Sequence, residues 1–213
     1  MNAGLTAVEL YTTDEMLNDM ETVAKICAKF PLRYSLHAPN TGCPPEKLAE
    51  ITRAAGAEVV VMHDIYWEDE WMELITLFKN IPARLCIENT YSIHEPAKFM
   101  RRFGLGRCLD LEHLQMECAG IFEEEFFRFI KQASHIHLTG YRCGTDLWHS
   151  HIHHSPDQGR YFLDLIQASG FSGFVVSEAK SSYQTEGDFR ALNEFFQQWK
   201  ADSQKEPGRS PGL

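Results

Sequence analysis

The chain has no uninterrupted apolar run of about 18 residues, the length a membrane-spanning helix requires, and no charged-then-apolar leader, so neither a membrane span nor a secretory signal is expected. It also lacks any CxxC pair. The six cysteines (Cys27, Cys43, Cys86, Cys108, Cys118 and Cys143) are spread along the sequence, two of them inside apolar runs. That pattern predicts reduced, mostly buried thiols and a cytoplasmic protein rather than a disulfide scaffold. Positive charge is scarce too. With 20 Lys and Arg against 30 Asp and Glu the net charge is −10, and the isoelectric point is near 5.4. No general basic field exists for holding a polyanion, which counts against intact duplex DNA as a partner, although a locally positive metal cluster can still bind phosphate.

What is present suffices for one domain with a sizeable core: 213 residues, 44% of them hydrophobic. The domain is expected over residues 1–202. The last stretch, 203–213 (SQKEPGRSPGL), is rich in Pro, Gly and charge and is expected to be a flexible tail. Seven short apolar runs read as buried strands: AVELY from Ala7, RYSLHAP from Arg33, EVVVMHD from Glu58, ARLCIENT from Ala83, GRCLDLEH from Gly106, SHIHLTGY from Ser134 and SGFVVSEA from Ser172. Helical stretches lie between them. Thr13, Asp14 and Glu15 start one running to Phe30, PPEKLAEITRAAG opens with Pro and closes with Gly, EEEFFRFIKQA carries acids first and Lys131 last, and DFRALNEFFQQWK is the final one. Repeated βα units with continuously apolar strands predict an α/β protein, a (β/α) TIM-type barrel. A closed barrel of this kind has eight strands in about 250 residues. The AVELY run sits where a second strand would normally be, so either the first strand is absent or the start is late. Open sheet edges invite association, and a homodimer is expected.

The strand-like runs end on chemistry-bearing side chains: His37, His63, Glu88, Asp110 with His113, His137 and Glu178. From His37 to His137 successive members are separated by about 22 to 27 residues, one compact βα unit each time. A single histidine at a strand end is more often a structural residue than a ligand, but six ends in register describe a site, because parallel strands in a barrel emerge on one face. Glu88, Asp110, His137 and Glu178 supply three carboxylates and one imidazole, a set suited to Mn, Mg, Co or Zn. Adding His37, His63, His113 and the His151, His153 and His154 run makes the set rich in nitrogen, which favours zinc and more than one ion.

The motifs HAP at His37, MHD at His63, IENT at Glu88, LDLEH at Asp110 and His113, HLTG at His137, HxHHSPDQG from His151 and SEA at Glu178 resemble, in order, those of the xylose isomerase-like TIM-barrel superfamily (AP endonuclease family 2). Within it they resemble endonuclease IV, over nearly the whole chain from Ala7 to Trp199. The resemblance implies one metal held by His37, His63 and Glu88, and a second sharing Glu88 and adding Asp110, His137 and Glu178. A third would use His113 and His153, with His151 where the endonuclease has an aspartate. On the sugar isomerase and epimerase side of the superfamily, it implies one Mn, Mg or Co ion on Glu88, Asp110, His137 and Glu178.

Two mechanisms follow from these ligands. With one to three zinc ions, Glu88 bridging and Glu178 orienting a water, the expected reaction is phosphoester hydrolysis on a small or flexible substrate. With one ion, Glu88 and Glu178 become the proton-transfer pair of a sugar or sugar-phosphate isomerase or epimerase. The histidine surplus favours the hydrolase, and the short connections favour a small or flexible substrate over intact duplex DNA. A non-catalytic metal-binding barrel is the third reading. Arg142 and Arg160 are candidates to clamp a substrate phosphate or carboxylate, and Tyr66 and Trp148 to wall a ring. Asn89 is placed to orient Glu88. His135, two residues before His137 on the same side of its strand, reads as a core histidine.

Overall fold

The computed structural model describes residues 4–90, 92–94, 96–117, 123–142 and 144–205. Each apolar run expected to be a strand forms one: β1 (Ala7–Tyr11), β2 (Arg33–His37), β3 (Val59–Met62), β4 (Arg84–Glu88), β5 (Gly106–Asp110), β6 (His135–His137) and β7 (Phe174–Val176). They follow one another in the sheet in chain order, β1 to β7, and every described strand pair is parallel. Helices cover the connections, so the central strands are apolar throughout instead of alternating. This is the α/β, (β/α) TIM-type architecture expected, with seven strands.

The chain packs as two compact units, Thr6–Cys108 and one formed by Leu109–Leu213 with the first five residues. In the first, β1 to β4 and most of β5 alternate with α1 (Asp14–Asn18), α2 (Met20–Lys29), α3 (Pro45–Ala55), α4 (Glu68–Phe78) and α5 (Pro96–Phe103). The sequence predicted a single helix from Thr13 to Phe30. Asp19 divides it, because its side chain accepts the Thr22 N–H at 3.1 Å and starts α2 afresh with a non-helical φ of −133°. Pro45 opens α3 and Gly56, at φ 63°, closes it in the left-handed conformation that a Cβ disfavours. Leu36, Leu48, Ile51, Val60, Met62, Leu74 and Ile87 fill the core, joined by Trp71, whose ring stacks on Phe103 at 5.8 Å.

The second unit carries α6 (Leu111–Glu117), α7 (Glu123–Gln132), β6, α8 (Pro156–Ala168), β7 and α9 (Glu186–Lys205), with short 3-10 turns at Ile152–His154 and Ser181–Tyr183. Its buried apolar residues include Leu111, Leu114, Ile130, Ile136, Phe162, Leu163, Phe174 and Trp199. Trp199 Nε1 donates to Asp164 Oδ1 at 2.7 Å and ties α9 to α8. Because α9 runs on to Lys205, Ser203, Gln204 and Lys205 are helical, not part of a tail; the remainder of the expected tail lies outside the described residues. Cys27, Cys43, Cys86 and Cys108 stand outside any disulfide among the described residues, three of them buried, while Cys118 and Cys143 lie outside the described residues. Among the described residues no helix is long and apolar enough to cross a membrane.

Candidate metal centres

In the first unit the carboxyl ends of β2, β3 and β4 deliver His37, His63 and Glu88. One oxygen of Glu88, Oε2, lies 3.0 Å from His37 Nε2 and 3.1 Å from His63 Nε2. The Glu88 carboxylate is almost wholly buried, with 1% of its side chain exposed. The other ring nitrogen of His37, Nδ1, faces the Ala38 carbonyl oxygen at 2.8 Å. A carbonyl only accepts, so Nδ1 carries the proton and Nε2 is the nitrogen turned to the carboxylate oxygen. Two imidazole nitrogens and a carboxylate oxygen converging on one point fit a borderline divalent ion, and the backbone hydrogen bond of His37 fixes the tautomer that such an ion needs. Tyr11, the register partner of His37 on β1, stacks on its ring at 5.5 Å and the His63 ring meets it edge-on at 5.2 Å, holding both imidazoles in place.

In the second unit β5, β6 and β7 end at Asp110, at His137 and just before Glu178. His137 Nδ1 is 3.1 Å from Glu178 Oε2 and 3.7 Å from Asp110 Oδ2. Asp110 and His137 are fully buried, whereas Glu178 is about a third exposed. A buried imidazole facing two carboxylates is again a donor set for a divalent ion. The sequence placed His113 at a strand end. It lies one turn into α6, where its N–H donates to Asp110 Oδ1 at 2.7 Å and its Nδ1 is 3.7 Å from Asp110 Oδ2. His135 is buried one layer below His137, its ring 5.3 Å from the His137 ring and stacked on Phe174.

The excursion after β6 leaves at Gly140 and returns at Ser150, which exchange backbone hydrogen bonds. A Cβ on Gly140 would stand 2.5 Å from Ser150 Oγ and 2.7 Å from the His151 carbonyl oxygen, so any side chain here would force the crossing to shift. Beside it lies a residue that sequence reasoning overlooked. Glu112, although charged, is only 1% exposed, and its Oε2 accepts from Thr139 Oγ1 at 2.6 Å and from the His149 N–H at 2.9 Å. His149 sits at φ 41°, a left-handed conformation unusual for a residue other than glycine, and its ring meets that of His113 edge-on at 5.8 Å. The clue in the sequence was an acid lodged between Leu111 and Leu114 on one short helix.

His151 is buried, its Nδ1 3.0 Å from Ser177 Oγ, and burial together with the neighbouring His153 pushes its pKa down to about 4. His153 stacks beside it at 5.9 Å and against His154 at 4.1 Å. The four substrate candidates stand in different surroundings. Tyr66 belongs to the core: it is 8% exposed, packs edge-on against Trp71, and accepts the Cys43 N–H at its hydroxyl. Arg160 is occupied by α9, pairing with Asp202 at 3.2 Å and lying over Phe195. Arg142 is exposed on the Gly140 to Ser150 excursion. Trp148, on the same excursion and 48% exposed, carries the Lys180 ammonium 4.5 Å above its ring. Asn89 is buried beside Glu88.

No protein-family model matches the sequence, and no curated protein matches it. Solved structures match in shape. One is the apo form of 3-keto-D-glucoside 4-epimerase from E. coli, at a TM-score of 0.59 and 9% identity, covering 94% of this chain and 90% of that one. Another is phosphoribosylanthranilate isomerase from Thermotoga maritima, at a TM-score of 0.55 and 12% identity, covering 93% of this chain and 89% of that one. At such low identity the likeness speaks for the fold: the chain is a TIM-type (β/α) barrel protein, similar in architecture to these two enzymes.

Proposed function

We propose that this protein is a divalent-metal-dependent enzyme of the xylose isomerase-like, AP endonuclease family 2 kind, holding more than one ion, zinc foremost, and hydrolysing a phosphoester in a small or flexible substrate. One observation carries the reading: each unit has its own set of converging donors at the carboxyl ends of its strands, His37, His63 and Glu88 in one and Asp110, His137 and Glu178 in the other. The first set adds donors beyond those that one ion on Asp110, His137 and Glu178 would take. Bound zinc supplies Lewis acidity at a phosphoryl oxygen and acidifies a water molecule. The chain does the rest. His37, locked by its Nδ1–H to the Ala38 carbonyl, presents Nε2 without reorganisation. Glu178, the most exposed of these carboxylates, is the group able to take a proton from a water and pass it outward. Exposed Arg142 and the Lys180 ammonium above Trp148 offer positive charge to a phosphate.

The second reading is a sugar or sugar-phosphate isomerase or epimerase using one ion, with Glu88 and Glu178 exchanging a proton at the carbon next to a carbonyl. The epimerase and isomerase among the structures of similar shape favour it. The deciding experiment is elemental analysis of the purified protein and of a Glu88→Gln variant, followed by assay on p-nitrophenyl phosphate and its bis ester. Two or more zinc ions per chain, reduced in the variant, with ester cleavage that the variant lacks, is the expected result. One ion exchangeable for manganese or cobalt, with no ester cleavage, overturns it in favour of the isomerase.

A further inference from the structure

The resemblance to endonuclease IV groups His153 with His113 and His151, but the fold gives His153 other company. From the 3-10 turn Ile152–His154 and from the first turn of α9, His153, His154 and Asp188 each bring one ligand atom to within 4.8 Å of the others. We propose that these three residues form a separate site for a borderline divalent cation such as zinc, cobalt or nickel, clamping the turn to the start of α9.

The spacing suits ligands of one ion. His154 Nε2 and Asp188 Oδ1 are 3.5 Å apart, too long for a strong charge-assisted bond. Two atoms each about 2.1 Å from a tetrahedral zinc lie about 3.4 Å from one another. The carboxylate is pre-aimed. Thr185 at the head of α9 accepts the Asp188 N–H at 3.2 Å and donates its hydroxyl to Asp188 Oδ2 at 2.5 Å, which leaves Oδ1 for the imidazole side. His153 is half-buried. Its Nδ1 is buried and has no hydrogen-bond partner among the described residues. The Tyr183 ring, 5.0 Å from that of His154, limits the latter's swing. Two imidazoles and one carboxylate suit zinc, cobalt or nickel better than magnesium or calcium.

The site stands apart from the proposed reaction and does not depend on it. The test is titration of chelator-treated full-length protein with cobalt(II), and separately with zinc. The stoichiometry and the cobalt visible spectrum are read for wild type, a His154→Gln/Asp188→Asn double variant and Glu88→Gln. Asn keeps a side-chain oxygen for the Thr185 hydroxyl, and circular dichroism verifies that the double variant is folded. The double variant is expected to bind one ion fewer per chain and to lose its share of the cobalt absorption. Glu88→Gln is expected to keep that share while losing its own. Zinc at a hundredfold excess over Kd should also raise the melting temperature of wild type by roughly 5–10 °C more than that of the double variant, the difference being the share of this site. Equal stoichiometry and spectra in wild type and a folded double variant would overturn the site, whatever becomes of the esterase reading.

Discussion

Asp110 holds His113 at two points, accepting its N–H at 2.7 Å with Oδ1 while Oδ2 lies 3.7 Å from the imidazole Nδ1. The last residue of β5 is therefore also the cap of α6, and strand turns into helix without a loop. One carboxylate closes the helix end and faces His137.

These roles separate by substitution. Asp110→Asn retains an acceptor for the His113 N–H, while Asp110→Ala retains none, so in chelator-treated protein the alanine variant should be less stable by about 1 kcal/mol in urea unfolding. Both should lose the ion held with His137 and Glu178, as counted by elemental analysis. Equal stability of the two variants would show that the cap contributes nothing.

Chelation should destabilise the wild type, since an ion bound only by the folded chain shifts the equilibrium by mass action. In Glu88→Gln the fall in melting temperature on adding chelator should be smaller, because the oxygen shared by His37 and His63 has lost its charge. Scanning calorimetry with and without chelator measures the difference.

How much of this was legible in the chain follows from what each residue type reports. Strand positions were plain because VVVM or LCIE in a doubly covered sheet is apolar without interruption. The break at Asp19 was hidden, since helical periodicity runs on through it and only the cap geometry shows the new start. His113 looked like a strand end because Leu109 and Leu111 alternate around Asp110 in a strand-like way. Asp188 read as an ordinary acid of a helix's first turn; only folding brings it to His153 and His154. Tyr66 and Arg160 show the opposite failure, where a suitable residue type near a motif is taken up by core packing or by a neighbouring helix.

Acid should loosen the metal-free protein through His151. Its folded pKa of about 4 lies below the ordinary value of 6.5, so the unfolded chain takes up the proton more readily. This contribution to stability is complete above pH 6.5, falls as pH drops from 6.5 towards 4, and is exhausted below that. Urea midpoints of chelated wild type across that window should decline more steeply than those of His151→Gln, and parallel curves would remove the histidine from the account.

Gly140→Ala should cost roughly 1–3 kcal/mol, because the new methyl meets the Ser150 hydroxyl and the His151 carbonyl inside ordinary contact distance. Chemical denaturation reads the loss. Gly144→Ala, on the same excursion but with open space around it and φ 74°, should lose only the smaller conformational amount.

The crossing of Gly140 and Ser150 also bears on how such a protein diversifies. The chain departs and returns through a single pinch, so the stretch carrying Arg142 and Trp148 is a module whose ends stay put when its middle changes. Doubling the length of a flexible loop costs only about 0.6 kcal/mol in closure entropy. A lineage could therefore lengthen or rewrite this excursion, and with it the charge and aromatic surface it presents, while the strand-end side chains remained untouched.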